Sequence, residues 1–152
     1  MLIHPGAEPQ NDDEKAVAGF LDDWGPGAWP HMLECYDRWL TDDFLWENTG
    51  SPPTYGKVAA MEFLAKLHDT LGMEWCTAEL RNLASRKSPT GEGIVLTERV
   101  DRVFLADGTE AIAIPIMGCF TVRSVDGEAK IARYADYNAD SPIRERFPRH
   151  RH

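Results

Sequence analysis

Seven stretches of this chain repeat their apolar residues at helical or strand spacing, three helical and then four strand-like, and the character changes at Gly72. Val17, Phe20, Leu21 and Trp24 recur every three to four residues, which predicts an amphipathic helix. Asn11 stands where a cap belongs, with Glu14 three residues later as its capping-box partner. The run WGPGAWP breaks the chain. A second helix follows, with Met32, Leu33, Tyr36, Trp39 and Leu40 on its apolar side. DFLWEN is a short strand, and SPPTYG (51–56) a loop, because two prolines remove donors and fix φ. Residues 57–71 form a third helix, with Val58, Met61, Leu64, Leu67 and Leu71 as its stripe and Gly72 as its stop.

Beyond Gly72 the period becomes that of strands. Residues 73–85, 94–105, 110–123 and 129–138 alternate, separated by KSPTGEG, Asp107-Gly108 and Asp126-Gly127. Residues 1–10 read as a loose lead-in to a single domain spanning 1–152, with a basic tail at 142–152. Helices first and a largely antiparallel sheet after them predict an α+β layer fold. Long strands of this kind curl, and three helices from the N-terminal half close one side into a cone with a pocket.

The strand VLTERVDRVF sets Thr97, Arg99 and Asp101 on one face. A two-residue loop at 107–108 puts Arg99 opposite Ile116 and Asp101 opposite Ile114. The face is then isoleucine-rich (Ile112, Ile114, Ile116) with two charges in it. An ion pair at a sheet rim is one reading. A concave pocket with apolar walls and a few placed polar groups accounts for both the isoleucines and the charges. Asp136 is a third charge near the end of the last strand. A strict two-residue loop at 126–127 would face Asp136 toward Met117 and away from Arg99. One extra residue in that hairpin, in the turn or as a bulge at Gly118, brings it to the same face. We therefore expect one such irregularity.

Charge and cysteine content narrow the classes. A net charge of −9 leaves no cationic excess for a phosphate backbone, so nucleic acid is not an expected partner. The basic cluster Arg144, Arg146, Arg149 and Arg151 is short and terminal. Cys35, Cys76 and Cys119 are an odd number without paired spacing, which suits buried thiols in a reducing, cytoplasmic setting. No secretory signal and no membrane-length apolar run is seen. The histidines at 4, 31, 68, 150 and 152 have no ligand spacing, so no metal is expected. Glu47, Glu98 and Arg102 alternate away from the site faces and are expected to be solvated or at a subunit contact.

WEN with the following Pro-Pro-x-Tyr-Gly loop, TERVD, IPIMGCF and KIARYADYN together resemble the limonene-1,2-epoxide hydrolase family. That family lies within the cone-shaped nuclear-transport-factor-2-like (ketosteroid-isomerase-like) group, and the resemblance covers residues 12–141. It implies one-step, cofactor-free opening of an apolar epoxide by water. Asp136 would be the general base, Asp101 the general acid, Arg99 the group between them, and Asn48 a holder of the water. The family has a tyrosine two residues before that asparagine; here the position is Trp46, whose indole can only donate. Trp46, Met32, Tyr36, Ile114, Ile116 and Asn138 would line the substrate pocket. The resemblance also implies a homodimer, for which the sequence offers outward apolar positions such as Ala111, Ala113 and Met117. Two other functions fit the same residues. One is an isomerase or cyclase in which Asp136 takes a proton from carbon. The other is a carrier of an apolar ligand without turnover.

Overall fold

The computed structural model describes residues 1–138, so the basic segment at 142–152 lies outside the described residues. The chain runs β1 (Leu2–Ile3), α1 (Asp12–Asp22), α2 (His31–Trp39), β2 (Leu40–Asn48), β3 (Thr54–Tyr55), α3 (Lys57–Leu71), β4 (Trp75–Lys87), β5 (Gly93–Phe104), β6 (Glu110–Val125) and β7 (Glu128–Asn138). All seven strands join one mixed sheet in the order β1-β4-β5-β6-β7-β2-β3. The β1–β4 and β2–β7 pairs are parallel and the other pairs antiparallel. The three helices cover one face of this curved sheet, with α1 lying across β4 to β7 and α2 against α3.

Helix α1 begins as its cap predicts. The Asn11 side chain accepts from Glu14 N at 3.0 Å. The returning half of the box is displaced by one residue: Glu14 Oε2 accepts from Gln10 N at 2.7 Å, while Oε1 accepts from Ser85 of β4 at 2.7 Å. The cap therefore also ties the helix to the sheet. Val17, Phe20, Leu21 and Trp24 are buried, and the Phe20 ring meets Trp24, Tyr36, Phe120 and Tyr134 at centroid distances of 5.5, 5.6, 6.4 and 6.2 Å. Truncating such a ring to alanine costs about 3–5 kcal/mol.

Several expectations need correction. Residues 1–10 are not a loose lead-in: β1 pairs with β4, and Ala7 is fully buried. The 51–56 loop contains β3, which pairs with β2. Leu40 belongs to β2 rather than α2, so the first strand is three residues longer than DFLWEN. The buried face of α3 carries Ala60 and Leu64, with Phe63 and Leu67 partly buried; Val58 (70% exposed) and Leu71 (61%) point outward. Met61, Leu64 and Leu67 of the expected stripe pack against the core, so only the two ends of the stripe, Val58 and Leu71, face outward. Cys35 and Cys76 are buried free thiols, whereas Cys119 is half-buried. On the outer face Glu47 pairs with Arg133, and Arg102 with Glu79 and Glu110, as expected for residues facing away from the site.

The two hairpins decide where the charges point. The first has a three-residue loop, not two: Leu105 and Thr109 pair around residues 106–108, with Gly108 at φ +83°. Ala111 is then an extra residue on β6, because Val103 pairs with Ile112 and Phe104 with Glu110. The two irregularities cancel, so Arg99 faces Ile116 and Asp101 faces Ile114 as predicted. The second hairpin has a strict two-residue loop, Asp126 (φ 52°) and Gly127 (φ 81°). Its single irregularity sits at Ala132 of β7, between the pairs Val122–Ile131 and Thr121–Arg133. The expected extra residue exists, but neither in the turn nor at Gly118.

Candidate active site

Beyond the Ala132 bulge, Tyr134, Asp136 and Asn138 share the face of β6 that carries Phe120, Gly118 and Ile116. Across the β5–β6 pair, Gly118 faces Thr97 and Ile116 faces Arg99. Thr97, Arg99, Asp101 and Asp136 therefore converge from β5 and β7 over one glycine. A Cβ added at Gly118 would overlap Arg99 Nη1 and lie 2.8 Å from Thr97 Oγ1. The missing side chain is the space in which the guanidinium lies.

Arg99 is 1% exposed, and hydrogen bonds surround it. Nε donates to Asp101 Oδ1 at 2.8 Å and Nη2 to Asp101 Oδ2 at 3.0 Å, a bidentate pair. Nη2 also donates to Asp136 Oδ1 at 2.8 Å and contacts the Tyr134 hydroxyl at 2.5 Å; Nη1 donates to Thr97 Oγ1 at 2.9 Å. Nη2 has two protons and three oxygens around it. The Tyr134 hydroxyl also acts to lower the pKa of both carboxyls. The flat cation is packed against the rings of Phe120 (5.4 Å) and Tyr134 (5.3 Å). Thr49 fixes the other strand: its N and Oγ1 both donate to the Asp136 carbonyl, at 3.1 and 3.0 Å.

Burial and charge then set the protonation. Both carboxylates are nearly sealed from solvent, and burial raises both above the usual range. Asp101 is pushed up to about 6: burial is the largest cause, Arg99 opposes it, and the charge of Asp136 raises it further. The bidentate bond to Arg99 on its own would favour ionised Asp101, so two effects compete there, and burial wins. The charge balance agrees. One cation with two anions leaves a buried net charge of −1, and retaining one proton makes the cluster neutral. Arg99 itself stays charged: burial disfavours its cation, but Tyr134, Asp101 and Asp136 outweigh that and hold its pKa above the ordinary value.

The two carboxylates open into a cavity of about 260 Å³ beneath α2 and α3. Every residue expected at the site lines it except one. Asn48, Trp46, Met32, Tyr36, Ile114, Ile116 and Asn138 are all on its wall with Asp101 and Asp136. Arg99 is not; it lies behind the carboxylates and positions them. Asn48 reaches the wall because it is the parallel-strand neighbour of Asp136. Ile112, grouped with the other isoleucines by the strand period, is beyond the rim and 46% exposed. Trp46 stacks on Tyr134 (5.9 Å, 11°) and meets Phe63 edge-on, and its Nε1 is enclosed without a partner. It is a wall of the cavity. Residues not foreseen at the site include Tyr134, Trp24, Met73 and Cys76 of the wall, and Gly118 behind it; Leu67, a helix-stripe residue expected to pack in the core or line the cavity, is on the wall. Tyr134 had a signal: it lies two residues before Asp136 and so shares its face. Among the described residues no group of three His, Cys, Asp or Glu is arranged to hold a metal ion, and no helix is long and apolar enough to cross a membrane.

No family model matches the chain. Solved structures share its fold. They include an uncharacterized protein with a cystatin-like fold from Caulobacter vibrioides (12% identity, TM-score 0.64, covering 90% of this chain and 95% of that one). A ketosteroid isomerase-like protein from Erwinia carotovora atroseptica aligns at 18% identity and TM-score 0.61, over 84% of this chain and 94% of that one. A hexachlorocyclohexane dehydrochlorinase, LinA-type3 from Novosphingobium barchaimii, aligns at 14% and 0.63, over 82% and 85%. The cone-shaped, ketosteroid-isomerase-like α+β architecture is thus the fold of this chain. At these identities the likeness carries the fold alone, and the chemistry has to be argued from the side chains.

Proposed function

We propose that this chain is a cofactor-independent acid–base enzyme that adds water to a small apolar epoxide in one step. One observation carries the reading: a single buried guanidinium bridges two carboxylates that share the wall of an otherwise apolar cavity. Addition of water to an epoxide needs a base and an acid together, and a coupled pair with one proton between them supplies both. Asp136, ionised, takes a proton from water as the water oxygen bonds to a ring carbon. That carbon's bond to the epoxide oxygen breaks, and Asp101 gives its proton to the released oxygen. Arg99 positions both carboxylates and keeps the anion of the pair stable through the exchange. Asn48, beside Asp136, is placed to orient the water. The product is a vicinal diol, and solvent returns the proton from Asp136 to Asp101.

The test is incubation with cyclohexene oxide or limonene oxide in heavy-oxygen water. The expected product is diol with one labelled oxygen, formed about 10²- to 10⁴-fold more slowly by Asp136→Asn. The rate should fall as pH rises through about 6, where Asp101 loses its proton. Diol production unaffected by Asp136→Asn would end the assignment of the base.

A second reading has support of its own. Fold relatives include proteins named for ketosteroid isomerase and for dehydrochlorination. In this reading Asp136 removes a proton from carbon, with isomerisation, elimination or ring closure following. Deuterium exchange into a ketone or halocarbon substrate, without diol from any epoxide, would favour it.

A further inference from the structure

The cavity has a second polar side, on α2. Tyr36 is 2% exposed and reaches the cavity wall from the helical layer, while Asp101 and Asp136 reach it from the sheet. Its ring is held by Phe20 (5.6 Å) and by the edge of Trp46 (5.7 Å). Among the described residues its hydroxyl has no hydrogen-bond partner. It is also not sealed off, unlike the indole N–H groups of Trp24 and Trp46, which are enclosed. A buried phenol without a partner costs about 1–3 kcal/mol against a paired one, so its position invites an acceptor from whatever fills the cavity. The other polar groups on the wall are mostly engaged. Tyr134 is held by Arg99, Thr49 Oγ1 donates to a backbone carbonyl, and the Cys76 thiol points to Met73 Sδ at 3.7 Å. Burial, then the charges of Cys76, Cys35, Asp136 and Asp101, raise the Tyr36 pKa far above its usual value, so it remains a neutral donor at any working pH.

We propose that Tyr36 donates a hydrogen bond to the oxygen of the bound substrate, making the cavity selective for apolar molecules that carry one accepting oxygen, such as an epoxide or a ketone. During ring opening this donor shares with Asp101 the charge that develops on the oxygen. The assignment rests on the proposed acid–base chemistry for its catalytic role, but its binding role can be read without turnover.

The experiment is difference infrared spectroscopy of cyclohexanone, carbon-13 labelled at the carbonyl, bound to the intact protein at pH 8. At that pH Asp101 is ionised and cannot donate. The parent should show a bound carbonyl band at lower wavenumber than in hexane, and Tyr36→Phe should return it toward the hexane value while its circular dichroism matches the parent's. The same band position in both proteins, or no bound band in the parent, would overturn the proposal. With cyclohexene oxide, Tyr36→Phe should raise KM through the lost ground-state bond and lower kcat about tenfold to a hundredfold through the lost stabilisation of the developing charge; an unchanged kcat would overturn the catalytic part. If the parent forms no diol, the hydrolase reading fails and the infrared result still decides the role of Tyr36.

Discussion

At the residue scale, the site depends on an absence as much as on charges. Gly118 gives the Arg99 guanidinium its place, and any Cβ there collides with it. The backbone of Gly118 is not left-handed, so the requirement is space and not conformation. Gly118→Ala should therefore destabilise the protein by about 3 kcal/mol, because it displaces a buried cation from two partners. Urea unfolding of the two proteins measures this; a loss under about 0.5 kcal/mol would mean the guanidinium has room elsewhere. Arg99 and Asp101 were legible in the sequence because charges are rare beside a row of isoleucines, whereas Asp136 joined them only on the expectation of one irregularity in the second hairpin. Gly118 was legible only as ambiguous, since a strand glycine marks either a bulge or a close approach. Trp46 and Asn48 entered through resemblance, and their positions on the wall follow from the β2–β7 pairing.

At the scale of elements, register decides which side chains meet. The first hairpin's loop glycine and the Ala111 bulge cancel, so a count that ignored both landed on the right pairs. In the second hairpin nothing cancels the Ala132 bulge, and it turns Asp136 inward. The bulge leaves Ile131 and Tyr134 on the same face, with Ala132 inserted between their ladder positions. Deleting Ala132 should restore regular alternation and keep Asp136 opposite Gly118. Deleting Ala135 should instead turn Asp136 outward. Carbon-13 NMR titration of the aspartate carboxyls checks this: the raised Asp136 and Asp101 signals should persist in the first deletion and vanish in the second. Their persistence in both would show that the strand end re-pairs freely.

At the scale of the whole molecule, the buried pair ties stability to pH. Asp101 holds its proton more tightly in the folded state, at about 6 against an ordinary 3.8. Its contribution is therefore fully present below about pH 4 and is lost as pH rises through about 6. Two units correspond to about 3 kcal/mol. Carboxylates such as Glu79, Asp23 and Asp43 are lowered by their partners and act with the opposite sign. They are common to parent and variant and drop out of a difference. Asp101→Asn should thus gain stability relative to the parent, by up to about 3 kcal/mol, between pH 4 and pH 7. A pH-independent difference in unfolding free energy would show that Asp101 is not the group held protonated.

The sequence by itself determined the classes of element, their order and most of their bounds, because period and turn chemistry are local properties. It also determined that Arg99 and Asp101 share one face of β5, because alternation needs only one strand. The pairing of residues 1–10 with β4, the burying face of α3, the bulge positions and the free Tyr36 hydroxyl were decided by tertiary structure. Each depends on a partner distant in the chain. A two-residue strand such as β1 has too little pattern to be seen alone, and a bulge is placed by the packing of the strands around it. The protonation of the carboxylates was decided there too, since it follows from burial and from a guanidinium that only the folded sheet brings within 3 Å of both.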